Sequence, residues 1–336
     1  TGGLWGFTIR RPLEAAAGTI PLMALLFLPI LMGMKTLYPW TDAAFVEAHE
    51  SVKAKAGYLN TGFWLIRAAV FLAYWSGLSL LIRSGSATQD GTADPSPTRR
   101  NQTLSAPGML LLFLSVTFAM VDWAMSTDPV WYSSIYGVMV FTGMGLSGLC
   151  LATLTTSRLR EVRPLSEVCG PEPFNDVGNL MLAFVMLWAY MSFSQYLIIW
   201  MGNLAEEVPW YLARSYSGWR VVAGGLMLFH FFVPFFLLLM RDVKREPARL
   251  ARVAVWVLCL HFINDVWLIV PGFGGSHLAI LATLVPTTLG VGGLWLATYL
   301  WLLRSRPLLP TNNPMLAEAL EHYEHEHAHA HDAGGH

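Results

Sequence analysis

Eight stretches of this chain are almost free of charge and long enough to cross a bilayer, which takes about 20 apolar residues in a helix. They run at about 14–34, 59–82, 105–125, 130–154, 177–200, 217–240, 251–270 and 278–302. Backbone N–H and C=O groups in lipid must find partners within the segment, so such stretches are expected to be helical. The expected fold is all-α: a polytopic membrane helix bundle with eight spans visible. Composition agrees, because 13% of the 336 residues are charged and 54% are hydrophobic, whereas about 25% are charged in an ordinary soluble domain. A net charge of −1 argues against a nucleic-acid partner. The chain divides into a segment 1–13, a transmembrane domain 14–302 and a His-rich tail 303–336.

The basic residues orient the bundle. One side carries fifteen of them: Arg10, Arg11, Arg83, Arg99, Arg100, Arg158, Arg160, Arg163, Arg241, Lys244, Arg245, Arg249, Arg252, Arg304 and Arg306. The other carries Lys35, Lys53, Lys55 and Arg214. The positive-inside bias then places both visible termini in the cytoplasm. Among the connections, 83–104 is rich in Ser, Thr, Pro and Asp and reads as a flexible loop, while 35–58 reads as a short interfacial helix. Pro21, Pro29, Pro234 and Pro286 fall inside spans and are expected to kink them. Gly143, Gly145 and Gly148, and Gly290, Gly292 and Gly293, suit close helix packing. Cys150, Cys169 and Cys259 are scattered and form no cluster-binding or haem-attachment motif.

Ionisable groups inside spans are costly and point to function. Arg67 lies roughly 12 Å below the outer end of the second span at the usual helical rise. Asp122 lies near the outer end of the third. His230 sits mid-span in the sixth, and His261 and Asp265 lie one turn apart in the seventh. Glu14 marks the inner end of the first span, beside Arg10 and Arg11. The fifth span adds Tyr190, Ser192, Ser194, Gln195 and Tyr196, and Glu206 and Glu207 follow it. Arg67 with Asp122, and the histidines with Asp265, can each neutralise themselves as pairs. The first pair reads equally as a structural clasp. The second suits proton transfer, because imidazole titrates near neutrality. Glu14, the histidines, and Asp122 or Asp265 then form candidate relay groups at graded depth. Asp176 is a candidate helix cap, and the six histidines of HYEHEHAHAHDAGGH are expected in a solvated tail.

Several longer motifs resemble a known family. They are WGFTIRRPLEA at 5–15, DWAMSTDPVWYSSIYG at 122–137, LWAYMSFSQYLIIWMGNLAEEVPWY at 187–211, HFFVPFFLLLMRDVKR at 230–245 and NDVWLIVPG at 264–272. Together they resemble the ActF-type membrane subunits of bacterial alternative complex III, in the wider polysulfide-reductase-membrane-subunit (NrfD-like) family. That resemblance implies ten helices in two four-helix bundles flanked by peripheral helices, with two spans before Thr1. The first three visible spans would join one bundle and the next four the other. It also implies a subunit of a quinol:cytochrome c or cupredoxin oxidoreductase in the bacterial cytoplasmic membrane. Its partners would be a sister NrfD-like subunit, an iron–sulfur subunit, multihaem cytochrome c subunits and membrane lipids. Proton conduction is the expected role, with quinone or quinol (menaquinone or ubiquinone) as the candidate ligand. No covalently bound cofactor and no metal are expected.

Three other readings compete. His230 and His261 could ligate a b-type haem, although a two-haem core needs further histidines. Kinked helices around a midplane site would suit a secondary transporter. Polar clasps alone would make the chain an anchor subunit.

Overall fold

A computed structural model describes residues 4–215, 218–273, 277–310, 312–317 and 319–321. Among them the chain is helical, and eight helices are long and apolar enough to cross a membrane. We number these α1 (Arg10–Met32), α2 (Thr61–Asp90), α3 (Ser96–Trp123), α4 (Tyr136–Leu159), α5 (Pro171–Gly202), α6 (Trp219–Leu239), α7 (Pro247–Ile269) and α8 (His277–Arg304).

α4 is the hub. It packs on α3, α5 and α7 and touches the start of α1. The reason is its residue size: Gly137, Gly143, Gly145, Ala152 and four threonines leave a narrow helix that neighbours approach closely. A side chain at Gly143 would meet the His261 ring, and one at Gly145 would meet Phe184. α4 to α7 form a four-helix bundle around Leu146, Cys150, Met181, Val185, Leu250 and Val257. α1, α2 and α3 form the neighbouring group. α8 lies at the periphery against α1, held by Trp295 Nε1 donating to Thr19 Oγ1 at 2.9 Å.

Three of the four span prolines mark irregular backbone, whereas Pro286 lies within the unbroken α8. α1 breaks at Gly18–Thr19 and at Phe27, each just ahead of Pro21 or Pro29. The 35–58 connection folds into short helices, Ala43–Ala48 and Glu50–Lys53, that bury Tyr38, Trp40 and Val52 over the end of α2.

Some local expectations change. Most of 83–104 is helical, because α2 continues to Asp90 and α3 starts at Ser96. Gln89 explains the tight join: its amide donates to the carbonyls of Thr92, Asp94 and Asn312, and its oxygen accepts from Thr98 N and Oγ1. Asp176 does not cap α5, which begins at Pro171 after Gly170. Gly290, Gly292 and Gly293 face open space, so they pack against nothing within the described residues. The start of the tail is docked: Leu309 and Ala319 bury against Phe7, Leu165 and Val168. The histidines of 322–336 lie outside the described residues.

Candidate functional site

The local backbone of α6 positions its histidine. Pro234 has no N–H to give the carbonyl of His230 four residues earlier, so one rung of the α-helical ladder is missing at this turn. The chain responds with a π-helical stretch, Leu226–Phe232, that contains His230. Such wide turns often sit at functional sites. Trp256 of α7 donates from Nε1 to the Phe229 carbonyl at 2.9 Å, which satisfies part of the disturbed ladder.

His230 is fully buried. Its ring stacks on that of His261, with centroids 5.4 Å apart and planes 24° apart. Trp188 meets it edge-on at 4.2 Å. Gly143 lets the His261 ring lie directly against the α4 backbone. One turn on, Asp265 places Oδ1 3.7 Å from His261 Nε2. Thus the structure joins the three residues that the sequence paired on α6 and α7.

The pair is polar but poorly partnered. Both ring nitrogens of His230 and Nδ1 of His261 are buried without a hydrogen-bonding protein group. So are Trp188 Nε1, Ser192 Oγ and Gln195 Oε1 on α5. These three residues follow at i, i+4 and i+7, so they share one face and span about 10 Å of helix. Buried polar atoms in native proteins almost always find a partner, and water is the usual one when protein offers none. The row therefore marks a wettable strip that runs from the histidines toward the end of α5 at Gly202. Beyond it lies Tyr211, whose phenol burial holds well above its usual pKa, with Gln195 beside it acting in the opposite direction.

Arg214 closes that end. It is buried, stacks on Trp210 at 3.5 Å, and donates to the carbonyls of Trp210, Trp267 and Leu268 at 2.8, 3.2 and 2.7 Å. Burial lowers its pKa to about 10, opposed by Tyr136, Asp128 and Tyr211. Toward the arginine-rich side, the apolar cluster of Leu146, Met181, Val185, Leu250 and Val257 seals the bundle. Between this cluster and the histidines the described side chains are mainly apolar, and buried Thr153 turns its hydroxyl onto the Leu149 carbonyl of its own helix.

The remaining candidates lie elsewhere. Arg67 and Asp122 form a bidentate pair, Nε–Oδ2 at 2.6 Å and Nη2–Oδ1 at 2.9 Å, between α2 and α3. Arg67 also donates to the Tyr58 carbonyl and lies over the Tyr58 and Phe63 rings. Burial lifts the Tyr58 phenol to about 12, Asp122 adding to the effect and Arg67 opposing it. Every strong acceptor of this carboxylate faces a fixed guanidinium, which describes a clasp. Glu14 binds Arg10 and Arg11 at 2.8 and 2.7 Å, near Arg306, at the far end of α1. Neither acid touches the histidine pair. Tyr190 is 64% exposed, on the outward face of α5, and Ser194 is half-buried. Sequence reading passed over Trp188 and Tyr211, and took Gly143 as a packing glycine and Arg214 as a loop cation rather than as parts of this site. Trp188 was findable, since it lies seven residues before Gln195 on the same face.

The imidazole rings face one another, with Trp188 and the Gly143 backbone filling the space beside them. That packing leaves no slot for a porphyrin between the histidines. Among the described residues no group of three or more His, Cys, Asp or Glu side chains gathers as a metal site. Neither a family model nor a curated protein matches the chain.

Proposed function

We propose that the chain is a proton-conducting membrane subunit of a quinol-oxidising electron-transfer assembly, with the His230–His261–Asp265 group as its proton-loading site. The observation that carries this reading is the stacked histidine pair, buried mid-bundle with three ring nitrogens unpartnered by protein. An imidazole can take and release a proton at a cost that its surroundings set. Burial against Trp188 makes that cost depend on local hydration, so proton affinity follows the state of the bundle. Asp265 supplies a carboxylate that stabilises the loaded form.

Polar groups lead to the pair from the Gln195–Tyr211 side, and apolar packing separates it from the arginine-rich side. This asymmetry suits a site that loads from one face and unloads after a rearrangement. The π-helical turn at His230 supplies a place for one, because a shift between π and α pairing rotates that side chain. The motif resemblance to NrfD-like subunits supplies the redox context: haem and iron–sulfur partners that carry electrons, and the bacterial cytoplasmic membrane as location. The fifteen basic residues on one side support cytoplasmic termini.

Affinity purification of the tagged chain from native membranes tests the assignment. Haem and iron–sulfur subunits should co-elute in fixed ratio, and the His261→Asn form should assemble equally. Isolation of the chain alone, under conditions that preserve other respiratory complexes, contradicts it.

A further inference from the structure

A cavity of about 470 Å³ opens between α1, α2 and α3 at the arginine-rich ends of these helices, away from the histidine pair. Its two ends differ in chemistry. Arg10, Glu14 and Arg83 line the polar end. Trp75, Leu78 and Leu112 line the other, about 12 Å deeper along α2 between Arg83 and Trp75 at helical rise. Such a shape suits an amphiphile with a small charged head.

The charge balance selects its sign. Four guanidinium groups gather here, those of Arg10, Arg11, Arg83 and Arg306, around Glu14 and Asp90. Asp90 is bound by Arg11, and Glu14 is shared by Arg10, Arg11 and Arg306. Arg83 has no carboxylate within ion-pair distance among the described residues, and its Nε is buried without a partner. Its guanidinium lies over Gly18, where any side chain would collide with it. A larger residue at this break in α1 would displace the flexible end of Arg83. A neutral ring such as a quinone leaves that positive surplus uncompensated. A phosphodiester neutralises it through charge-assisted hydrogen bonds.

We propose that this cavity is a binding site for an anionic phospholipid, with Arg83 holding the phosphodiester and Trp75, Leu78 and Leu112 receiving the first part of an acyl chain. The basic ends of α1 to α3 place it in the leaflet that carries the positive-inside charge.

The full chain in its native assembly, washed extensively in detergent, tests this by native mass spectrometry and lipid extraction. Wild type should retain phosphatidylglycerol or cardiolipin. Arg83→Gln should lower retention about tenfold, the order expected for one charged hydrogen bond. Leu112→Trp, which fills the apolar end and leaves every charge in place, should lower it as well. Delipidated protein should regain heat resistance in phosphatidylglycerol micelles but not with inorganic phosphate or phosphatidylcholine. Equal retention by both variants, recovery with phosphate alone, or extraction of a quinone in place of the phospholipid overturns the proposal.

Discussion

Asp122→Ala should be among the most destabilising single changes outside the α4–α7 bundle. The carboxylate is fully buried and accepts two hydrogen bonds from Arg67, at 2.6 and 2.9 Å. Its loss strands a guanidinium that is itself 9% exposed. Breaking a buried pair from one side costs about 3–5 kcal/mol. Part of the support remains: Arg67 keeps the Tyr58 carbonyl at 3.0 Å and the two aromatic faces. The Asp122 backbone carbonyl also still accepts from Trp64 Nε1 at 2.9 Å. We therefore expect about 3 kcal/mol, the low end of the range. Arg67→Met should cost a similar amount, and Arg67→Met with Asp122→Ala should cost well below the sum of the two, for a coupling of roughly 2–3 kcal/mol. Detergent-titrated unfolding, followed by tryptophan fluorescence, reads all four forms of this cycle. Trp64, 5.4 Å from Tyr38, is one of the fourteen tryptophans that contribute to the signal. A loss below about 1 kcal/mol for Asp122→Ala, or additive single and double changes, would refute the clasp. The same double variant should keep proton coupling intact, since the clasp does not touch the histidines.

Other expectations are briefer. Gly143→Ala pushes a methyl group into the His261 ring; overpacking of this kind costs about 1–3 kcal/mol, and proton coupling should fall more than quinol oxidation does in the assembly. Arg214→Ala frees the Trp267 and Leu268 carbonyls at the end of α7, and should cost roughly 2–3 kcal/mol in the same unfolding titration. Burial lifts the Cys169 thiol to about 12, so alkylation at pH 8 should be far slower there than in the unfolded chain. With a raised folded pKa, this thiol's contribution to stability is complete below about pH 9 and is lost as pH rises toward 12. Peptide mapping after timed alkylation, and unfolding midpoints over that pH range, check both statements.

The spans were legible because hydrocarbon allows so few backbone solutions. Depth and spacing also brought out pairs: Arg67 with Asp122 at matching depth on adjacent helices, and His261 with Asp265 one turn apart on α7. Of the graded acids, Asp265 lies beside the histidines, while Glu14 and Asp122 are each held by arginines away from them. Depth along a helix says nothing about which neighbour a side chain faces. Tyr190 shows the same gap. It and Gln195 lie five residues apart, so they point about 140° apart around α5, and only one is buried. Arg214 read as a loop cation because its partners are carbonyls, which leave no trace in a charge pattern. The join of α2 and α3 read as loop because Gln89 closes it through contacts with residues distant in sequence, Asn312 among them. Proline at 234 was visible, but a break, a kink and a π-helical turn are all open to such a residue, and its local sequence does not choose among them.

The most direct test is the number of protons moved per electron by the intact assembly in sealed vesicles, with quinol oxidation and pH followed together. Replacement of His230 by Phe, or His261 by Asn, should remove most of the proton movement while electron transfer continues. An unchanged ratio in both variants, with the assembly intact, contradicts a proton-loading role for the histidine pair.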